Sequence, residues 1–516
     1  MKEKLVGKFI HISNPSHNRG FSTLELMIAM TLMSMGLVGA VSANYAAQYW
    51  SITSETSNEG LYKAKTKLED MRSLVKQDFY QIVSTPPTIS QDPSDPADAS
   101  CIKGGLCYSV QTIVTDLSSC SKYIEARVSW QIYGYPETTT SLYTNLTNSS
   151  EATALGGDCI LNQPGGSWAS AAPQIVGSLT FSPGKLLSSI DTLHKKIYVT
   201  AATSPYLLAY AAPTSVGQSP SLLGSIGSTK LNDIDVEKDL ATGRTYAFVA
   251  KHSTTLQLSV YDVTDPAAPS LVTEKKLKGI IPPGVFSEGW KVFVYGGRLY
   301  MTTRETSGNE FHIFNIDTPA QPIEIGTGFQ LNRTVNDVVV REQKVGGVVH
   351  RFAFLAADAD TSELSILDVT GDSITEVASV DLPGNQDGLS IFVLGRQLYF
   401  GRQSNVSGPE LYTFDVSNPS SLSLASMIGQ GEVGADVHTI KVTGPHTFVG
   451  TSKSGQEFQV WSADYSTWDG GVLNAGRMQS HSFSNLAPLG IDIDGDWIYG
   501  ISQNAGSDSL QVLYRP

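Results

Sequence analysis

The first pattern along the chain is an absence of charge. From Leu26 to Ser54 no residue is charged, while residues 1–20 hold Lys2, Lys4, Lys8 and Arg19 against the single acid Glu3. An apolar run of about 20 residues crosses a bilayer core as a helix, and a basic flank ahead of it keeps the N-terminus cytoplasmic. Beyond the run, Leu61, Ala64, Leu68, Met71, Val75, Phe79 and Ile82 recur at helical spacing, with Lys63, Lys65, Glu69, Asp70, Arg72 and Lys76 largely between them. This predicts that one helix continues from Ser22 to about Val83, within a segment 21–85 ended by Thr85-Pro86-Pro87. It would be about 90 Å long at 1.5 Å per residue. The period then changes to two. Tyr108, Val110, Thr112 and Val114 alternate with polar residues, as do Ile124, Ala126, Val128, Trp130 and Ile132, and a third run covers about 138–147. One apolar face per strand predicts a small antiparallel sheet, within 86–165, laid on the helix.

After a short stretch (160–173) that reads as a linker, the chain repeats. One column of short strands is centred on Tyr198, Tyr246, Tyr300, Phe352, Tyr399, Phe448 and Tyr499. A second column follows each of them, clearest in the segments ending at Asp262-Val, Asn315-Ile, Asp368-Val and Asp415-Val, with weaker copies at Tyr210, Ser462 and Tyr514. Successive copies of this column are 47 to 53 residues apart. A strand before the first column and another after the second bring each unit to four strands, the pattern of a propeller blade. Seven units predict an all-β, seven-bladed β-propeller over 170–516. Its last unit stops at Pro516 without a fourth strand, and 174–182 resembles the fourth strands elsewhere. Residues 174–182 are therefore expected to complete the last blade and remove its open edge. The expected fold is an α+β N-terminal module followed by that ring.

Composition narrows the function. A formal charge of −14 argues against a nucleic-acid binder, whose phosphate contacts need a basic face. Cys101, Cys107, Cys120 and Cys159 are the only cysteines, and they flank the strands of the small sheet. An even cluster with irregular spacing and no histidine inside it predicts disulfides in an oxidising compartment rather than a metal site. Four cysteines admit three pairings; Cys101–Cys107 with Cys120–Cys159 would close one local loop and tie back the segment's end.

The junction Gly20-Phe21-Ser-Thr-Leu-Glu25 ahead of the apolar helix resembles the class III signal of type IV prepilins and pseudopilins. The resemblance implies that a prepilin peptidase removes residues 1–20 after Gly20 and that Phe21 becomes the N-methylated terminus. It also implies that Glu25 pairs with a neighbouring subunit's terminal amine during filament assembly. A lone carboxylate in an apolar span is a functional candidate in its own right. The family often has a proline midway along this helix, where this chain has Gly36 and Gly39. The strand Arg127-Val-Ser-Trp130 and the strand after it are similar to those of minor pilins. Asp262-Val-Thr-Asp-Pro266 and Asp415-Val-Ser-Asn-Pro419 resemble the LVIVD-type repeats of extracytoplasmic propellers.

These readings predict a minor type IV pilin that carries a propeller head at or near a filament tip for adhesion or ligand binding. Its expected partners are the peptidase, other pilin subunits, the inner membrane before assembly, and a surface, glycan or protein ligand. The alternatives are a type II secretion pseudopilin, or a filament-borne propeller hydrolase or lyase. No enzyme activity, catalytic residue, cofactor or metal is expected, since the sequence has no H-E-x-x-H, no G-x-S-x-G and no P-loop. The repeat acids Asp262, Asp368 and Asp415 are expected to bond turn amides. Asp492-Ile-Asp494-Gly-Asp496 lacks the register and terminal Glu of a calcium loop, and Asp358-Ala-Asp360-Thr in a connecting loop is an equally weak calcium candidate.

Overall fold

The computed structural model describes residues 22–77, 79, 82, 84–89, 108–118, 121–131, 136–147, 168, 173–182 and 185–514, except 240, 281–286, 405–407, 470–471, 484–486, 495–496 and 504–507. The leader, Gly20, Phe21 and all four cysteines lie outside the described residues, as does Ile132. The chain divides into two compact units: 1–65 with 89–110 and 128–141, and 66–88 with 111–127 and 142–516.

Helix α1 runs Thr23–Gln77, 55 residues and hence about 80 Å. Its N-terminal part is long and apolar enough to cross a membrane, and its most apolar stretch has no buried residue. Further along, Gly60, Ala64, Leu68 and Met71 are buried, whereas Leu61 is exposed. The helix stops short of the expected Val83, yet Phe79 and Ile82 remain buried beyond it. Apolar spacing marks which side chains face the interior; it does not fix where backbone hydrogen bonding ends.

The small sheet has the order β1-β2-β3-β4, with β1 at Thr85–Ile89, β2 at Tyr108–Ser118, β3 at Ser121–Trp130 and β4 at Thr138–Thr147. Thr85-Pro86-Pro87, read as a helix stop, instead opens a fourth strand. Prolines are tolerated there because β1 is an edge, where a missing N–H breaks no ladder. In the first unit Tyr108 packs on Trp130 at 5.6 Å, and its hydroxyl donates to Glu59 (2.9 Å). A Cβ on Gly60 would lie 2.6 Å from the Trp130 ring, so only glycine fits under that indole. In the second unit Arg72 donates to Thr144 Oγ1 (3.1 Å), and the Lys122 ammonium lies over Phe79.

Seven four-stranded antiparallel sheets form the propeller. Blades 1 to 6 span 187–226, 231–275, 289–329, 334–380, 388–431 and 437–481, each in simple sequence order. Blade 7 combines Pro488–Asp494, Trp497–Ser502 and Ser509–Tyr514 with β5, Gln174–Thr180. Ser509 lies opposite Thr180 and Tyr514 opposite Gln174. The innermost strands neighbour one another in a closed cycle, from blade 1 round to blade 7 and back to blade 1. All seven aromatics of the first sequence column are buried on second strands, and the second column falls on third strands.

The core is divided among the blade junctions rather than gathered centrally. Phe354, Ile366, Ile391 and Phe400 pack between blades 4 and 5, and comparable clusters fill the other six junctions. The second and third strands of the blades are therefore covered on both faces, as their near-continuous burial shows, while the fourth strands stay more exposed. One departure from expectation is Trp168. The stretch read as a linker delivers this side chain, with no exposed surface, into the junction of blades 6 and 7, edge-on to Phe448 at 5.3 Å.

Candidate functional site: helix start, ring lining and a polar groove

At the helix start, the Glu25 carboxylate accepts the Ser22 N–H (3.1 Å), and Ser22 Oγ accepts the Leu24 N–H (3.2 Å). This pattern satisfies amides that the first turn leaves free and places negative charge at the positive end of the helix dipole. Glu25 is solvent-exposed, so its carboxylate is open to a further partner.

In the ring, the repeat acids behave as turn starters. Asp262 accepts the Thr264 N–H, Asp368 the Thr370 N–H and Asp415 the Ser417 N–H, each at 2.9 Å, and Asn315 accepts the Asp317 N–H at 2.8 Å. The Pro loop that follows packs on the preceding blade: a side chain on Gly224 in blade 1 would collide with the Pro266 carbonyl of blade 2.

A second acidic column escaped the sequence reading. Glu310, Glu363, Glu410 and Glu457 are buried immediately before their third strands, with Gln257 in the corresponding place. Glu310 accepts the Leu331 N–H (2.6 Å), Glu363 the Leu382 N–H (3.0 Å), Glu410 the Val433 N–H (2.9 Å) and Glu457 the Phe483 N–H (2.8 Å). Each ties down the segment leading to the next blade. The signal was available, since an acid precedes the apolar start of the third strand in successive copies.

The innermost strands carry Asp191, Asp233, Asp235, Asp337 and Asp492 together with Lys291 and Lys441. An inner strand is a sheet edge with unpaired amides, and these acids satisfy the amides of the next blade. Asp191 accepts the Val236 N–H (2.5 Å), Asp233 that of Val292 (2.9 Å), Asp235 that of Val294 (2.7 Å), Asp337 that of Ile391 (3.0 Å) and Asp492 that of Thr192 (2.7 Å). Lys441 pairs with Asp492 at 3.0 Å and Lys291 with Asp233 at 3.5 Å. Burial, and then the neighbouring Asp492 and Asp235, hold the Asp191 pKa well above the usual carboxylate range; burial pushes Asp235 up to about 7.

The consequence is a pH dependence with a defined sign. An acid whose folded pKa is raised binds a proton more tightly in the folded state. The stability it adds is present in acid and fades as pH rises from about 4 toward 7. Asp235→Asn is expected to match the parent chain near pH 4.5 and to melt several degrees above it at pH 8. Parallel melting curves of the two proteins across this range would exclude that role for Asp235.

Three of the aspartates considered for calcium are otherwise employed. Asp492 belongs to the inner ring, Asp494 accepts the Lys195 N–H (2.5 Å), and Asp358 hydrogen-bonds Asp387, which burial and this contact push up to about 6. Asp496 lies outside the described residues. Among the described residues no group of three histidines, cysteines or acids is placed to hold a metal ion.

On the side of the ring where first and second strands join, a groove of about 340 Å³ opens between blades 3 and 4. Its wall is an enlarged hairpin in blade 4, Thr334–Val345 with Val348–Asp358, whose strands are 12 and 11 residues long against 7 and 6 in blade 3. Gly296 and Gly297, both at positive φ, make the tight turn on the blade 3 side. Arg298 bridges the gap by donating to the Gly371 carbonyl (2.9 Å), and Arg351 returns with bonds to the Gly296 carbonyl (3.4 Å) and Glu342 (2.8 Å). His350 Nδ1 meets Asp368 at 3.2 Å. Burial opposes ionisation of Asp368, but bonds from Thr370 and His350 outweigh it and hold its pKa below the usual range. Asn315, Asp317 and Thr370 complete the polar lining.

The ring with these inter-blade staples defines the chain as a seven-bladed β-propeller preceded by an apolar helix and a small sheet. The LVIVD repeat family matches residues 390–428, most of blade 5, in agreement with the sequence resemblance at Asp415-Val-Ser-Asn-Pro419. No curated protein sequence matches the chain. Among solved structures it is similar to the Cps50 (Swd1) β-propeller domain of Myceliophteria thermophila, at 11% identity and a TM-score of 0.45, covering 67% of this chain and all of that one. It is also similar to YCF48 bound to D1 peptide, at 8% identity and a TM-score of 0.43, covering 66% of this chain and all of that one.

Proposed function

We propose that the chain is a minor pilin-like subunit whose apolar helix holds it in the inner membrane and then in a filament, with the propeller displayed outside as a binding head. The observation that carries this reading is the first turn of α1, where Glu25 sits exposed at the head of an apolar stretch with no buried residue. Such a surface needs a bilayer or other helices around it. The Gly20-Phe21 junction and the basic leader support the same reading. A head of over 300 residues is too bulky to repeat densely around a thin filament, which favours a rare or terminal position. The head is read as binding rather than catalytic because Asp191, Asp233, Asp235, Asp337 and Asp492 on its inner strands are committed to backbone amides, and two of them also to lysines.

Two measurements test this. The N-terminus of the protein isolated from cells should begin at an N-methylated Phe21. Glu25→Ala should leave membrane insertion intact, since losing a charge from an apolar span favours insertion, while lowering the protein's amount in sheared filaments at least tenfold. An uncut Met1, or parental levels of the variant in the filaments, would overturn the assignment.

A further inference from the structure

We propose that the groove between blades 3 and 4 binds a neutral saccharide of one or two rings. This rests on reading the head as a binding module and names the ligand class. In a repeat protein, a copy that departs from the pattern by adding residues on one face marks a functional place. Blade 4 is that copy, and its added length forms the groove's wall. The volume of about 340 Å³ sits at the small end of ligand cavities, which run from about 300 to 1,000 Å³.

The lining selects the chemistry. Apart from Val349 it offers polar groups and glycine backbone, so it has no floor for an apolar ligand. Its guanidiniums already hold acids, Arg351 with Glu342 and Arg298 with Asp372, and the His350 ring is bonded to Asp368. An anionic ligand would have to displace those acids, and a cationic one would meet two guanidiniums. What remains is a mixture of donors and acceptors side by side. Among the described residues Asp317 pairs with no cation and is bonded to the Asn315 amide at 2.9 Å. A hydroxyl both donates and accepts; several on one ring would use Asp317, Asn315, Thr370 and Arg351 together.

The full-length chain, in a detergent without sugar head groups, should be applied to a printed array of glucose, galactose, mannose, N-acetylglucosamine and their disaccharides. Glucuronate and glucosamine serve as charged counterparts. One or more neutral sugars should be retained above both charged ones. In calorimetry, Asp317→Asn should weaken that sugar at least tenfold with unchanged melting temperature, and Asn315→Ala, which also loses the turn bond to the Asp317 N–H, should weaken it as much while still melting cooperatively. Retention of no neutral sugar, tighter binding of glucuronate or glucosamine, or parental affinity in both variants would overturn the proposal. The array result does not depend on filament assembly. Sugar binding by a protein absent from filaments would fail the pilin reading alone, and a filament subunit that retains no sugar would fail this inference alone.

Discussion

Deleting residues 174–182 from the full-length chain is expected to lower the propeller's melting temperature sharply and to promote aggregation. These residues include β5, which pairs along the whole strand Ser509–Tyr514. Without it, blade 7 presents a bare edge beside the seam of the ring, a template for strand addition by another chain. Of the apolar side chains in the segment, Val176 is buried, Leu179 and Phe181 are partly buried, and Ile175 keeps 37% of its surface exposed. Burying one large side chain contributes about 1.5–3 kcal/mol, and the edge-on contact of Phe181 with Tyr210 adds on the order of 1 kcal/mol. With the lost strand pairing, the total reaches several kcal/mol, a large part of the roughly 5–15 kcal/mol that a domain has. Calorimetry and limited proteolysis would check this. A deletion protein that melts like its parent would mean that closure contributes nothing.

Trp168→Ala is expected to cost about 3–5 kcal/mol, the range for emptying a large aromatic site in a packed core. The indole lies among Phe448, Phe458, Phe483, Ile491, Ile498 and Leu513, so it ties the chain ahead of β5 to the junction of blades 6 and 7. Trp168→Phe should recover part of the loss because the edge-on contact with Phe448 can persist. Chemical denaturation of the three proteins measures the difference. A cost under about 1 kcal/mol for the alanine variant would place Trp168 outside the cooperative core.

Both expectations join parts of the chain far apart in sequence, and this is where reading the sequence alone divides from seeing the fold. The fold of the ring was legible because a propeller repeats: the columns from Tyr198 to Tyr499 and from Tyr210 to Tyr514 encode second and third strands by local apolar pattern. Closure by 174–182 was legible for the same reason, since a truncated last unit and an orphan fourth strand fit each other. The turn role of Asp262, Asp368 and Asp415 follows from chemistry within a few residues of each acid.

What depends on distant neighbours could not be read this way. The Leu61 position and the end of α1 were misplaced, and Pro86-Pro87 proved to be strand, because burial and edge position are properties of the assembled sheet. Trp168 looked like linker, since nothing near it in sequence shows that blades 6 and 7 leave a space for an indole. The inner acids Asp191, Asp235 and Asp492 took their meaning from amides one blade away. The groove exists only because the blade 4 hairpin stands beside the turn of blade 3. The sequence by itself determined the periods, and so the elements and their number; tertiary structure decided which polar groups met, because strands tens of residues apart become neighbours only when the ring closes.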